Sequence, residues 1–159
     1  MPVAIESFRN ASVTRAGNWP ERRREPRYPC NDPAEVQVVS ATGPRLPATM
    51  LDISRSGLRV VLAAPVWKGA DVEVILPKQA IIFGRVCHCR QSGEKFYAGI
   101  RIQDVFFRPH PVKGAHIEDQ QLARYLAGLG LSVLEVLNVR AHLLKCKLCR
   151  SRFHDFGAD

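Results

Sequence analysis

Between Ala34 and Ile102 the apolar residues come in short alternating runs separated by turn-forming residues. "EVQVV" alternates through Val36 and Val38, "LPATML" follows a Gly43-Pro44 turn, and "LRVVL" follows Gly57. "DVEVIL" alternates through Val72, Val74 and Leu76. "AIIFGRVCHC" comes after Pro77-Lys78-Gln79, and "FYAGIRI" after Gln91 to Lys95. A period of two sends successive side chains to opposite faces, so each run predicts a half-buried strand. Six short β-branched runs at this spacing predict a small antiparallel barrel or sandwich. Gly84, inside the fifth run, predicts the bulge or bend that a small barrel needs in order to close.

Past Ile102 the period changes. "FFRPHPVKGA" is aromatic and then broken by prolines, and it reads as a boundary. From Ile117 onward the spacing is helical: Leu122, Leu126 and Leu129 recur at i, i+4 and i+7, with Gly130 as the expected stop. Ser132 followed by Glu135 is a capping box that opens a second helix through Val136, Leu137, Val139 and Leu143. Residues 1–21 show little periodicity and are expected to form a flexible N-terminal segment. The expected layout is a β module over residues 22–108, a linker over 109–115 and a small α module over 116–159.

Composition narrows the partners. Apolar residues make up 46% of the 159-residue chain and charged residues 24%, which suits a globular protein and excludes wholesale disorder. A formal charge of +8 favours anionic partners. The N-terminus lacks the basic-then-apolar order of a secretory signal, and no apolar run approaches the roughly 18 residues needed to span a bilayer. A cytoplasmic location is therefore expected, where the five cysteines are better read as metal ligands or redox groups than as disulfides.

The charge is not spread evenly. "RRREPRYPC" places Arg22, Arg23, Arg24 and Arg27 close together beside Pro26. Arg23 and Arg27 form an R-x-x-x-R pair. Downstream, between two predicted strands, "DISRSG" sets Asp52, Ser54 and Gly57 in a D-x-S-x-x-G arrangement. In this order, ahead of a six-strand pattern, the two motifs resemble the PilZ domain, a small β-barrel receptor for the bacterial second messenger cyclic di-GMP. "FYAGIRI" is similar to that family's late strand. The resemblance runs from Arg22 to Phe107 and implies a six-stranded antiparallel barrel, with Arg23, Arg27, Asp52, Ser54 and Gly57 as ligand-binding residues. Arg22, Arg24 and Arg55 are expected to add phosphate contacts or field alone.

The chemistry of these residue types agrees with that ligand. Arginine donates bidentately to guanine O6 and N7, suits phosphate geometry, and stacks on a base face as lysine does not. A carboxylate such as Asp52 accepts from guanine N1–H and N2–H, and Ser54 offers a small hydroxyl at close range. Gly57 is expected to take positive φ so that the loop backbone can approach the ligand. Pro26 stiffens the segment between the arginines. Taken singly, an arginine run is usually a solvated face and D-x-S-x-x-G usually a hairpin turn.

A second constellation lies near the C-terminus. "AHLLKCKLCRSRF" holds His142, Cys146 and Cys149 in an H-x-x-x-C-x-x-C spacing. Residues four apart share a helix face, and a two-residue gap lets two thiolates take adjacent tetrahedral corners of a zinc site. The fourth ligand is open among His116, His154 and His110. The stretch from His116 to Phe156 resembles the zinc finger of zinc-binding anti-sigma factors, which implies His116, His142, Cys146 and Cys149 as ligands in a zinc-bound helical hairpin. It also raises a sigma factor as one possible partner protein. Oxidation of Cys146 and Cys149 would expel the ion. In "VCHC", strand alternation is expected to put Cys87 and Cys89 on one face and His88 on the other. Trp19, Trp67 and the Phe106-Phe107 pair are expected to be packing groups, and Cys30 has no evident partner.

The expectation is an α+β receptor without catalysis, in which the barrel binds cyclic di-GMP and the zinc module touches a partner protein. The alternative is an anti-sigma-type transcription regulator with the barrel as scaffold. Nucleic acid, through the basic tail Lys145, Lys147, Arg150 and Arg152, is a less favoured partner. No nucleophile–base constellation is present, and four protein ligands on zinc would leave no open position for substrate.

Overall fold

The computed structural model describes residues 25–40, 42–107 and 116–156. Six strands are formed, β1 (Tyr28–Val38), β2 (Leu46–Ile53), β3 (Gly57–Leu62), β4 (Asp71–Leu76), β5 (Ala80–Ser92) and β6 (Lys95–Phe107). They close into an antiparallel barrel in the order β1-β2-β3-β6-β5-β4. Closure comes from β1 and β4, which pair from Glu35↔Ile75 to Val38↔Val72. Inward positions follow the alternation in the sequence: Val36, Met50, Val60, Val74 and Ile82 are all fully buried. Closing the sheet removes the exposed edges on which other chains could pair.

Two strands run further than periodicity suggests. β1 begins at Tyr28, six residues before Ala34, and carries Pro29 and Pro33. Its register with β2 slips between Pro29 and Asp32. A bulge tolerates proline because the extra residue makes no ladder bond. β6 continues to Phe107, so "FF" is strand rather than boundary. Gly84 does sit at a register shift between β5 and β6, where an added Cβ would lie 2.5 Å from the Arg101 carbonyl oxygen.

Three helices follow: α1 (Asp119–Ala127), α2 (Val133–Lys145) and α3 (Lys147–Phe156). Two of the helical expectations need correcting. α1 ends at Gly128, whose φ of 70° is the left-handed C-cap conformation, two residues before Gly130. The expected hairpin is also three helices, since the chain turns at Cys146 and continues as α3. Arg152 of α3 explains part of that added turn: its guanidinium donates to the Ile117 carbonyl at 3.0 Å and pairs with the Asp119 carboxylate. The Ser132–Glu135 capping box is formed in both directions. No helix among the described residues is long and apolar enough to cross a membrane.

The helices do not stand apart from the barrel. The Tyr28 ring stacks on Tyr125 of α1 at 5.6 Å between centroids, and its hydroxyl donates to the Tyr125 carbonyl. Phe153 of α3 also packs against Tyr125, tilted, at 5.9 Å between centroids. Leu122, Val136, Leu137 and Val139 are buried in the same apolar cluster as the barrel interior. Of the aromatic residues expected to pack, Phe107 is buried, whereas Trp67 and Phe106 are 55% and 46% exposed, and Trp19 lies outside the described residues.

Two predictions follow from this packing. Gly84→Ala should lower stability by about 1–3 kcal/mol, because backbone cannot move aside as a side chain can; urea denaturation measures it. Burial pushes the Tyr28 phenol well above its ordinary value. The native state then keeps a proton that the unfolded chain releases above about pH 10, so stability should fall as pH rises past that point. Tyr28→Phe should flatten this alkaline decline while lowering stability at neutral pH, by loss of the bond to Tyr125.

Candidate functional site

The D-x-S-x-x-G segment is the β2–β3 hairpin. Ser54 N–H donates to the Gly57 carbonyl at 2.7 Å, and Gly57 N–H donates back to the Ser54 hydroxyl at 3.2 Å. Ser54 thus performs the local turn role that its residue type suggests. Gly57 departs from expectation, because it is not among the positive-φ residues. Its requirement is steric: Gly57 faces Arg101 across the β3–β6 ladder, and a Cβ would lie 2.9 Å from the Ile100 carbonyl oxygen.

Asp52 is paired across the hairpin. It is 6% exposed and receives Arg59 at 2.5 Å and Arg27 at 3.6 Å. A buried carboxylate is retained only where cations and donors compensate its lost hydration. Arg59 stands opposite Asp52 in the β2–β3 register, a placement that requires knowledge of the strand pairing. Arg27 is 64% exposed, so most of its guanidinium remains open to a second partner. Arg22, Arg23 and Arg24 lie outside the described residues.

Glu25, the single acid in the arginine run, reaches the hairpin from the other side. Its carboxylate accepts from the Ser54 hydroxyl at 3.2 Å and the Ser56 hydroxyl at 2.5 Å, and it pairs with Arg55 at 3.3 Å. Arg55 also lies over the Phe153 ring at 5.8 Å, and its carbonyl accepts from Arg140 of α2 at 2.8 Å. The loop is therefore tied to both α2 and α3.

Glu25, Arg27, Asp52, Ser54, Ser56, Gly57 and Arg59 line one cleft of about 420 Å³, together with Cys87, His88, Gly99 and Arg101. The volume falls within the range of about 300–1,000 Å³ usual for small-molecule sites. The bulge between Val86 and His88 corrects the expected alternation: the extra residue puts Cys87 and His88 together at the cleft, and Cys89 packs against the core. The His88 ring lies over Gly99, where an added Cβ would be 2.2 Å from the imidazole. Burial, then Arg90, Arg27 and Arg59, hold the His88 pKa below its ordinary value, so the ring is neutral at pH 7.

A second cluster forms where α2 meets α3. One donor atom each from His116, His142, Cys146 and Cys149 lies within 4.8 Å of every other. His116 Nδ1 is 3.5 Å from Cys146 Sγ and 3.4 Å from Cys149 Sγ. Tetrahedral zinc with ordinary Zn–N and Zn–S bonds sets N···S edges of about 3.5 Å. His142 Nε2 is buried without a hydrogen-bond partner among the described residues, as expected of an atom whose partner is an ion. Burial and then His116 hold the His142 pKa down, keeping the imidazole in its ligating, neutral form. The Cys149 backbone N–H leads the causes that lower the Cys146 thiol. Donor set and spacing together fit a zinc ion. His154 instead packs edge-on against Phe153, and His110 lies outside the described residues.

A family model described as PilZ domain matches residues 21–127, through the barrel and α1. No curated protein matches. Among solved structures, the Bacillus subtilis inhibitor of motility (MotI/DgrA) is 18% identical with a TM-score of 0.42, covering 54% of this chain and 44% of that one. YcgR from Escherichia coli, solved in complex with c-di-GMP, is 19% identical with a TM-score of 0.41, covering 52% of this chain and 38% of that one. The chain thus spans less than half the length of either.

Two of the three barrel thiols, Cys30 and Cys87, give a test of the cleft. Burial, then Asp32, pushes the Cys30 thiol up to about 11, and its S–H contacts the Met50 carbonyl at 3.5 Å. Cys87 is exposed. Iodoacetamide at pH 8 should therefore modify Cys87 in the folded protein and spare Cys30 until denaturant is added, as read by peptide mass spectrometry.

Proposed function

The chain belongs to the PilZ domain family, and from that membership we propose that its barrel is a receptor for cyclic di-GMP. The observation that carries the reading is the cleft, where Arg27, Asp52, Ser54 and Gly57 converge with Arg59 and Arg101. In this reading Asp52 Oδ1, less closely held than Oδ2, accepts from a guanine N1–H and N2–H. Arg27 and Arg23 donate to guanine O6 and N7 or to phosphate oxygens, with Arg22 and Arg24 adding charge. Gly57 keeps the wall flat enough for close approach.

Zinc is proposed for the second cluster, held by His116, His142, Cys146 and Cys149. Three short helices bury little apolar surface by themselves, so a structural ion would supply stability that packing alone does not. Ligand occupancy would reach this module through Arg55, which touches Glu25, Arg140 and Phe153 at once. A partner protein would then read the helical surface. The molecule so described is a signalling receptor rather than an enzyme, with residues 22–108 as sensor and 116–159 as output.

Calorimetric titration of cyclic di-GMP into the intact zinc-loaded protein tests the receptor reading, with GTP as control. Binding should be saturable and selective. Arg27→Ala and Arg23→Ala should each weaken it ten- to hundredfold, the worth of about 1.5–3 kcal/mol for charge-assisted bonds. A folded protein that ignores the dinucleotide would refute the reading. For the metal, atomic absorption should find one zinc per chain, lost in Cys149→Ser together with helical circular dichroism.

A further inference from the structure

One carboxylate in the cleft already has the surroundings of a phosphodiester. Glu25 Oε2 receives the Ser54 and Ser56 hydroxyls at 3.2 and 2.5 Å, and Oε1 receives Arg55 Nε at 3.3 Å. Two hydroxyls and a guanidinium around a pair of oxygens sharing one negative charge are also the donors that a phosphodiester O–P–O group takes. The Glu25 side chain is only 22% exposed, so it is seated rather than solvated. It lines the same cleft as Arg27, Arg59 and Arg101.

Charge gives the seat a purpose. The cleft is lined by three arginines and two carboxylates, Glu25 and Asp52. Without Glu25, the Ser54–Arg55–Ser56 donors would be left facing solvent beside a strongly positive wall, open to any small phosphate. With Glu25 seated, an incoming anion must offer enough other contacts to displace it. Specificity of this kind comes from raising the cost of the wrong partner as much as from attracting the right one.

We infer that Glu25 is a resident occupant of a phosphodiester subsite built from Ser54, Arg55 and Ser56, and that ligand binds by exchanging with it. The ligand's identity rests on the cyclic di-GMP reading; the subsite itself does not. Because Glu25 lies two residues before Arg27, leaving the subsite moves the arginine-bearing segment in the same step. It also frees the Arg55 guanidinium, which now stacks on Phe153 of α3.

The experiment titrates cyclic di-GMP, and separately pyrophosphate as a minimal anion, into the intact wild-type protein and into Glu25→Gln and Glu25→Ala. Circular dichroism and Tm establish that each variant is folded. Both variants should bind cyclic di-GMP about tenfold more tightly, and pyrophosphate binding should appear where the wild type shows none. Adding Ser56→Ala to Glu25→Gln should take back most of the gain, since it removes a subsite donor while leaving every arginine in place. Equal or weaker dinucleotide binding by folded Glu25 variants, with no gain for pyrophosphate, would overturn the inference. Pyrophosphate binding gained by the variants, with cyclic di-GMP bound by none, would keep the subsite and refute the receptor reading.

Discussion

Tyr28 holds this structure together at the place where its parts would otherwise separate. It is the first residue of β1, its ring stacks on Tyr125, and its hydroxyl bonds the α1 backbone. The arginine-bearing segment enters immediately before it, so the position of Arg27 and Glu25 is set by how firmly Tyr28 is seated. Gly128 supports the same junction: a Cβ there would lie 3.0 Å from Pro26. The segment is thus pinned at its C-terminal side by packing against α1, while its side chains reach forward to the β2–β3 hairpin.

From that anchor the electrostatics follow. Asp52 is nearly buried, and neither Arg59 nor Arg27 encloses it fully, since they remain 49% and 64% exposed. An exposed pair adds about 1 kcal/mol at most to stability, whereas an unpaired buried carboxylate costs several. The arrangement therefore stabilises the barrel weakly and constrains the cleft strongly. Arg59 holds Asp52 Oδ2 at 2.5 Å and so orients the carboxylate, while Arg27 at 3.6 Å is left available for another anion. Glu25 plays the matching role at the hairpin's tip, satisfying donors that belong to the loop rather than to the barrel.

The sequence made the barrel legible because its strands are half-buried and alternate cleanly; Val36, Val72, Val74 and Leu76, picked out by spacing alone, are all buried. It was less informative where a bulge reset the count. At Pro29–Asp32 the prolines concealed the start of β1, and at Val86–His88 the extra residue moved Cys87 to the face of His88. α3 was hidden because its apolar face is short and its stabilising contacts are long-range, from Arg152 back to Ile117 and Asp119. In the cleft, Asp52, Ser54 and Arg27 stood out by motif, while Arg59 and Glu25 did not. Their roles depend on cross-strand register and on a carboxylate folding back some thirty residues away in sequence, neither of which has a local signature.

Arg55 joins the hairpin beside the cleft directly to two of the helices. Arg55 presents its side chain to Glu25 and Phe153 and its carbonyl to Arg140, so any force on Glu25 is felt by α2 and α3. Coupling of this kind is reciprocal by thermodynamic necessity: whatever fixes α2 and α3 must also bias the loop. The His116, His142, Cys146 and Cys149 donors sit at the turn between those same two helices. An ion there would hold Arg140 and Phe153 in the relative positions from which they grip Arg55. The His/Cys cluster and the arginine-lined cleft, distinct in chemistry and far apart in sequence, then bear on the same short loop.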